Sequence, residues 1–140
     1  MKKSTGELLD ILRNTHNIDT YIETEKENFV AEDLTACLEK LLTEKSLSKS
    51  DCIKASGLDR TYAYQIFSGV KKPSRDKLLA LCFAMKLTEE EVQTLLKHSG
   101  YTPLYPRIPR DGVLLFALHH QYSVDDVNGL LFEGDFALLG

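Results

Sequence analysis

The sequence predicts an all-α protein, and three observations lead to this fold class. Apolar residues recur at helical spacing, as Leu34, Leu38, Leu41 and Leu42 do. Residues that favour helix N-termini stand before most of the apolar runs. Runs of β-branched residues with a period of two, which are typical of strands, are missing from the sequence. We therefore expect helices joined by short loops.

Residues 1–32 are predicted to form a helical N-terminal extension. Ser4 and Glu7 are suitable caps for a first helix, and Phe29 and Val30 can anchor the extension to the rest of the chain. The apolar residues of this first helix are Leu8, Leu9, Ile11 and Leu12.

Residues 33–100 are predicted to form a domain of five helices. The first should cover about 32–45, the second about 49–56 and the third about 60–67. The glycines that follow the second and third helices support these boundaries, because Gly57 and Gly69 can adopt the left-handed backbone that ends a helix. The predicted N-terminal caps of the second to fifth helices are Ser48, Asp59, Ser74 and Thr88, the last in a capping box with Glu91.

Residues 101–140 are predicted to form a proline-rich linker and a C-terminal helical hairpin. The linker, 101–109, should contain no helix because each proline lacks an N–H and restricts its predecessor. The hairpin helices should lie near 110–120 and 124–133. An offset of 35 residues aligns this hairpin with the fourth and fifth helices and places Arg75-Asp76 on Arg110-Asp111. The similarity is explained either by duplication or by the general resemblance of capped amphipathic hairpins.

Composition limits the classes of function. The 140 residues are 43% hydrophobic and 27% charged, as in an ordinary globular domain. No apolar run approaches the ~20 residues of a membrane span, and no secretory signal begins the chain. We therefore expect a cytoplasmic protein without a membrane partner. The sequence has no glycine-rich phosphate loop, His-Glu metal pattern or nucleophile elbow, so we expect neither an enzyme nor a cofactor.

The three cysteines, Cys37, Cys52 and Cys82, show no spacing typical of a metal site. Their odd number and the cytoplasmic expectation argue against disulfides. Each falls on an apolar stripe of a predicted helix. We therefore expect three small buried hydrophobic residues.

The net charge of −4 is unevenly distributed along the chain. Residues 1–46 and residues 78–140 each carry a net charge of −4, whereas residues 47–77 carry +4. A basic block of this kind is typical of a surface that binds a polyanion. It is equally consistent with a solvated face that happens to be basic.

The segment from Leu47 to Gly69 predicts two short helices joined by a tight turn at Gly57, followed by Lys71-Lys72-Pro73-Ser74 and a leucine-rich helix. Because of these features, residues 34–98 resemble the phage-repressor (Cro-like), or xenobiotic-response-element, helix-turn-helix family. The resemblance implies a five-helix fold that binds double-stranded DNA and reads the major groove with the helix at about 60–67. The whole pattern is also similar to small bacterial regulators that carry a C-terminal helical hairpin.

The resemblance places the DNA base contacts on the third helix. Arg60, Thr61 and Gln65 match the family's base-reading positions; arginine can bond guanine and glutamine can pair with adenine. Tyr62 and Tyr64 can reach a phosphate or a thymine methyl. Alternatively, one of the two tyrosines is buried against the helix that precedes it.

Four basic residues are predicted to contact DNA phosphates. Lys49 begins the second helix, where backbone N–H groups and the helix dipole favour an anion. Lys71, Lys72 and Arg75 lie in the next loop and at the start of the fourth helix. The alternative is that these four side chains only solvate the surface.

Two functional hypotheses follow. The first is a sequence-specific DNA-binding transcriptional regulator that forms a homodimer through the N-terminal extension or the C-terminal hairpin, either of which could also bind a protein partner. The second is a protein-interaction module on a helix-turn-helix frame, in which an exposed cluster of Tyr62, Tyr64 and Phe67 binds the partner.

Overall fold

A computed structural model describes residues 34–140 of the chain, and the predicted N-terminal extension lies outside these residues. The described residues form seven helices and no strand, which confirms the all-α prediction for this part of the chain. The helices are α1 (Leu34–Glu44), α2 (Lys49–Ser56), α3 (Arg60–Ser68), α4 (Arg75–Ala84), α5 (Glu89–His98), α6 (Pro109–His119) and α7 (Val124–Glu133).

The predicted caps account for where the helices begin. Ser48 and Ser74 each accept a hydrogen bond from the backbone N–H three residues later, and Ser123 does the same at the start of α7. Thr88 and Glu91 form the reciprocal capping box at the start of α5. The predicted linker is wrong by one residue, because Pro109 is the first residue of α6. Proline suits that position, since its missing N–H would have no intrahelical partner there.

Helix α4 lies at the centre of the described core. Its residues from Leu78 to Phe83 are all buried, so no side of the helix is left to solvent along this stretch. It packs chiefly against α2, and also against α5 and α7. Helix α1 packs on α3 and α5, and α6 packs on α5 and α7. Burial of this apolar surface is the main force that holds the helices together.

The hairpins α4–α5 and α6–α7 are joined by two crossed ion pairs. The guanidinium of Arg75 donates to both carboxylate oxygens of Asp111 at 3.3 and 3.2 Å. The guanidinium of Arg110 donates to both oxygens of Asp76 at 3.0 Å. The 35-residue repeat therefore has a structural role: the arginine of each hairpin binds the aspartate of the other.

The same spacing relates further hydrogen bonds in the two hairpins. The Gln93 amide exchanges two hydrogen bonds with the backbone of Leu104, and the Asn128 amide does the same with Leu139. These bonds fasten the segment after each hairpin to its second helix. The recurrence of the two-bond pattern 35 residues later favours duplication over a general likeness of capped hairpins.

Two of the three cysteines are buried as predicted, namely Cys52 and Cys82, while Cys37 is half-buried. Burial raises the pKa of the Cys82 thiol to about 12, so this residue behaves as a small apolar side chain. Between residues 34 and 140, no helix is both long and apolar enough to cross a bilayer.

Candidate nucleic-acid interface

Helices α2 and α3 and their connection form the frame of the candidate site. Gly57 ends α2 in the left-handed conformation, with φ of 74°. The side chain of Asp59 then caps α3 by accepting a hydrogen bond from Tyr62 N at 3.0 Å. Ser56 is buried in the turn, where its hydroxyl donates to Ile53 O and accepts from Leu58 N. These local bonds fix the angle at which α3 leaves α2.

The inner face of α3 is buried and its outer face is open. Ala63, Ile66 and Phe67 are at most 2% exposed and join the core. Arg60 and Thr61 are exposed, and Gln65 is half-buried. The three residues that the sequence analysis predicted to contact bases therefore lie together on the accessible side of one helix.

A groove of about 650 Å³ runs along this outer face. The groove is lined from α3 by Arg60, Thr61, Tyr64, Gln65, Phe67 and Ser68, from α2 by Lys49 and from α1 by Glu39. The polar donors of α3 thus share one open depression with a lysine, and with one carboxylate that the sequence analysis did not associate with the site.

Both tyrosines of α3 are half-buried and pack against the core, so neither is a freely extended side chain. The guanidinium of Arg60 lies 5.8 Å from the centre of the Tyr64 ring, which holds the arginine over an aromatic face. Tyr64 also lines a second depression with Ile53 and Lys54 of α2, and so lies between the two helices. This placement agrees with the alternative in which one tyrosine packs against the preceding helix.

The exposed aromatic cluster expected under the protein-interaction hypothesis does not form. Phe67 is only 2% exposed, and Tyr62 and Tyr64 are half-buried. The ring of Tyr62 is covered in part by Lys77, whose Nζ lies 5.2 Å from its centre. The aromatic residues of α3 therefore act mainly as packing groups.

Lys49 stands at the start of α2 as predicted, but it has a partner. Its Nζ lies 2.5 Å from a carboxylate oxygen of Glu39, and both side chains are partly exposed. The same ammonium lies 5.3 Å from the centre of the Phe67 ring. An incoming anion would have to compete with Glu39 for this lysine. The sequence contained no signal for this pair, because the two residues lie on different helices.

Lys71 and Lys72 are exposed on the loop between α3 and α4. The loop is shaped by Gln65, whose carbonyl accepts hydrogen bonds from Val70 N and Lys71 N. The Nζ of Lys72 lies 5.2 Å from the centre of the Tyr101 ring. Neither lysine forms an ion pair with a described carboxylate.

Arg75 is the first residue of α4, as the sequence analysis expected, but its guanidinium is bound within the chain. Its guanidinium binds Asp111 and also donates to the carbonyls of Thr102 and Pro103. These bonds use all three of its nitrogens and four of its five N–H donors, so only one N–H, on Nη1, is left for a phosphate. In this structure the Arg75 side chain joins the two hairpins, and its predicted contact with a phosphate stays a prediction.

Tyr101 is a neighbour of the site that sequence reasoning missed. Its hydroxyl donates a hydrogen bond to Pro73 O and so ties the segment after α5 to the lysine-bearing loop. Burial, together with nearby Tyr62, raises the pKa of this phenol, which keeps the hydroxyl protonated as the donor.

Within residues 34–140, no three histidine, cysteine or acidic side chains are grouped so as to hold a metal ion. Comparison of the chain with protein-family models, with curated proteins and with solved structures finds no match.

Proposed function

We propose that this protein is a sequence-specific double-stranded DNA-binding regulator with a Cro-like helix-turn-helix domain, which reads the major groove with α3. The observation that carries the proposal is the accessibility of Arg60, Thr61 and Gln65 on one face of a short helix flanked by lysines. A helix fits the major groove, and these side chains include donors and acceptors for base edges.

The helix geometry is consistent with this role. Helix α2 packs on α4 and α3, so it can brace α3 from behind. The turn with Gly57 and the Asp59 cap fix the start of α3, whose first residue, Arg60, lines the groove. In helix-turn-helix proteins the N-terminal residues of the second helix contact the bases.

The phosphate contacts of the proposal are Lys49, Lys71 and Lys72, and Arg75 is left out because its guanidinium is bound internally. Three phosphates per subunit predict a slope of log affinity against log salt of about −2.7, and about −5 for a dimer on two half-sites. Arg60 and Gln65 are the proposed specificity residues. Tyr64 is proposed to orient Arg60 through its ring face.

A selection from random duplexes at low salt tests the proposal. Wild-type protein should enrich a defined motif, and Arg60→Ala and Gln65→Ala should each relax one position of it, at a cost of about 1–3 kcal/mol. Lys72→Ala should weaken binding to all sequences alike and reduce the salt slope by about 1.

The matched control is Lys97→Ala, since Lys97 is an exposed lysine on α5 away from the groove. This variant should bind as the wild type does. Failure to enrich any motif, or equal loss of binding in the Lys72 and Lys97 variants, would argue against the proposed surface.

A further inference from the structure

We propose that a cavity between α1, the loop after α3 and the end of α5 binds a small phosphomonoester through Lys71, Lys72 and Ser99. The cavity shares no lining residue with the groove on the outer face of α3, and the case for a ligand here does not depend on DNA. A second step rests on the proposed function: a ligand that engages both lysines competes with DNA for them.

The cavity has a volume of about 390 Å³. Sites for small ligands usually have volumes of about 300–1,000 Å³ and combine apolar walls with a few polar groups. This cavity has both kinds of lining, because Leu34 and Ile66 form apolar parts of its wall and Thr35, Lys71, Lys72 and Ser99 supply its polar groups. It is therefore large enough for a phosphate group with a small organic body.

The hydroxyl of Ser99 is the observation that points to a ligand. Ser99 ends α5 and is 5% exposed, and its Oγ has no hydrogen-bond partner within residues 34–140. The other two buried polar residues in this part of the chain, Ser56 and Asp111, each form more than one side-chain hydrogen bond. A buried hydroxyl without a partner is unfavourable, and most such groups in folded proteins are satisfied. An acceptor atom of a ligand in the cavity would satisfy this one.

The charge of the cavity favours a doubly charged anion. Lys71 and Lys72 line it, and neither forms an ion pair with a described carboxylate. No carboxylate of residues 34–140 lines the cavity. A phosphomonoester carries a charge of about −1.5 to −2 at pH 7 and has three strong acceptor oxygens. It therefore matches two ammonium groups in charge and leaves an oxygen for a hydroxyl, whereas a carboxylate supplies only one negative charge.

The loop that carries the two lysines is fixed close to α1. Gly69 ends α3 with φ of 84°, and a Cβ at this position would lie only 3.3 Å from Thr35 Oγ1. The glycine therefore allows the backbone of the loop to approach the threonine hydroxyl. Gln65 O accepts hydrogen bonds from Val70 N and Lys71 N, which hold the loop in its turn. A site that is already shaped in this way loses little freedom when a ligand binds.

Titration of the full chain with phenyl phosphate, at an ionic strength kept constant with chloride, tests the site without DNA. Amide chemical shifts in NMR spectra should move and saturate at residues 35, 69, 71, 72 and 99. Inorganic phosphate should bind several-fold more weakly, because it lacks the ring that can pack on Leu34 and Ile66. Benzoate should also bind several-fold more weakly, because it carries a single negative charge.

Ser99→Ala separates the site from general attraction of anions to surface lysines. This variant should bind phenyl phosphate several-fold more weakly than the wild type. It should also melt at or above the wild-type temperature without ligand, since it removes an unsatisfied buried hydroxyl. Thr94→Ala is the matched control, because Thr94 is an exposed residue of α5 outside the cavity, and it should bind as the wild type does.

The effect on DNA is measured separately, by fluorescence anisotropy of a labelled duplex. Saturating phenyl phosphate should weaken duplex binding by the wild type several-fold, and the same concentration should affect Ser99→Ala less. Ser99→Ala should bind the duplex normally without ligand, since Ser99 does not line the groove on α3. Duplex binding that phenyl phosphate leaves unchanged would overturn the competition. A wild type that binds no duplex would contradict the proposed function instead, and the NMR titration would still decide whether the site exists.

Three results overturn the site itself. The first is the absence of saturable shifts around the cavity, as a cavity filled by residues 1–33 would give. The second is equal affinity of Ser99→Ala and the wild type for phenyl phosphate, which would mean that the lysines attract the anion only at the surface. The third is equal affinity for benzoate and phenyl phosphate, which would contradict the assignment to a phosphomonoester.

Discussion

Removing the carboxylate of Asp111 is the most informative perturbation of the fold. This aspartate is 3% exposed and accepts hydrogen bonds from both terminal nitrogens of Arg75 and from Tyr105 N. In Asp111→Ala the guanidinium of Arg75 would keep its two carbonyl partners but lose its counter-charge. We therefore expect the positive charge of Arg75 to remain at the junction between the two hairpins without a carboxylate to neutralise it.

The expected loss in the free energy of unfolding follows from how deeply the Arg75–Asp111 ion pair is buried. Breaking a buried ion pair from one side costs about 3–5 kcal/mol. Because the Arg75 side chain is 24% exposed, water offsets part of this, and we expect the low end, about 3 kcal/mol. Asp76→Ala is the matched control. Asp76 is 35% exposed, so water can take the place of its carboxylate beside Arg110, whereas the 4% exposed Asp111 side chain leaves no such access, and the loss of Asp76 should cost only about 1 kcal/mol.

The assay is urea unfolding at neutral pH, followed by far-ultraviolet circular dichroism, on the wild type, both single variants and Arg75→Ala/Asp111→Ala. The double variant should be less destabilised than the sum of its single changes, because the partners interact directly. The reasoning would be refuted if Asp111→Ala stayed within about 0.5 kcal/mol of the wild type, or if Asp76→Ala cost as much.

Two further predictions concern Glu39 and Glu91. Glu39→Gln should free Lys49 and tighten binding to duplex DNA about three-fold, as measured by fluorescence anisotropy. Glu44→Gln on the same helix is the control. An unchanged affinity of the Glu39→Gln variant for DNA would contradict the idea that Glu39 competes with DNA for Lys49. Burial of Glu91 alone would raise its pKa, but hydrogen bonds from Thr88 and Lys45 and the Lys45 charge outweigh it and hold the pKa below its usual range. Its contribution to the free energy of unfolding is therefore present above the unfolded pKa of about 4.3 and lost as pH falls through the folded value. Glu91→Gln, which keeps the capping box, should flatten that part of the curve of unfolding free energy against pH, and an unchanged curve would count against the assignment.

The sequence predicts much of the helical framework because the signals are local. Caps such as Ser48, Ser74 and Thr88 act on backbone groups within three residues, and glycines such as Gly57 set a single backbone angle. Apolar periodicity likewise reports on one helix at a time. These features appear in the structure within one or two residues of their predicted positions.

The arrangement of charged groups is less predictable because it depends on contacts between distant segments. The repeat of Arg-Asp was visible in the sequence, but the sequence did not show that Arg75 binds Asp111 and Arg110 binds Asp76. That crossing is why Arg75 is left out of the proposed phosphate contacts. The pairing of Lys49 with Glu39 arises in the same way, from the packing of neighbouring helices.

The burial of Phe67 had a local signal. It follows Ile66 and lies four residues after Ala63, so all three share the inner face of α3. The spacing therefore placed Phe67 with the core, and the hypothesis of an exposed aromatic cluster gave more weight to residue type than to helical phase.

The central claim is that the open face of α3 and its flanking lysines form the surface that binds DNA. Amide chemical-shift mapping by NMR, during titration of the full chain with a short duplex at low salt, tests it most directly. The account predicts that the largest shifts fall at residues 49, 60, 61, 65, 71 and 72. Shifts concentrated on α6 and α7 instead, or none at a several-fold excess of duplex, would contradict it.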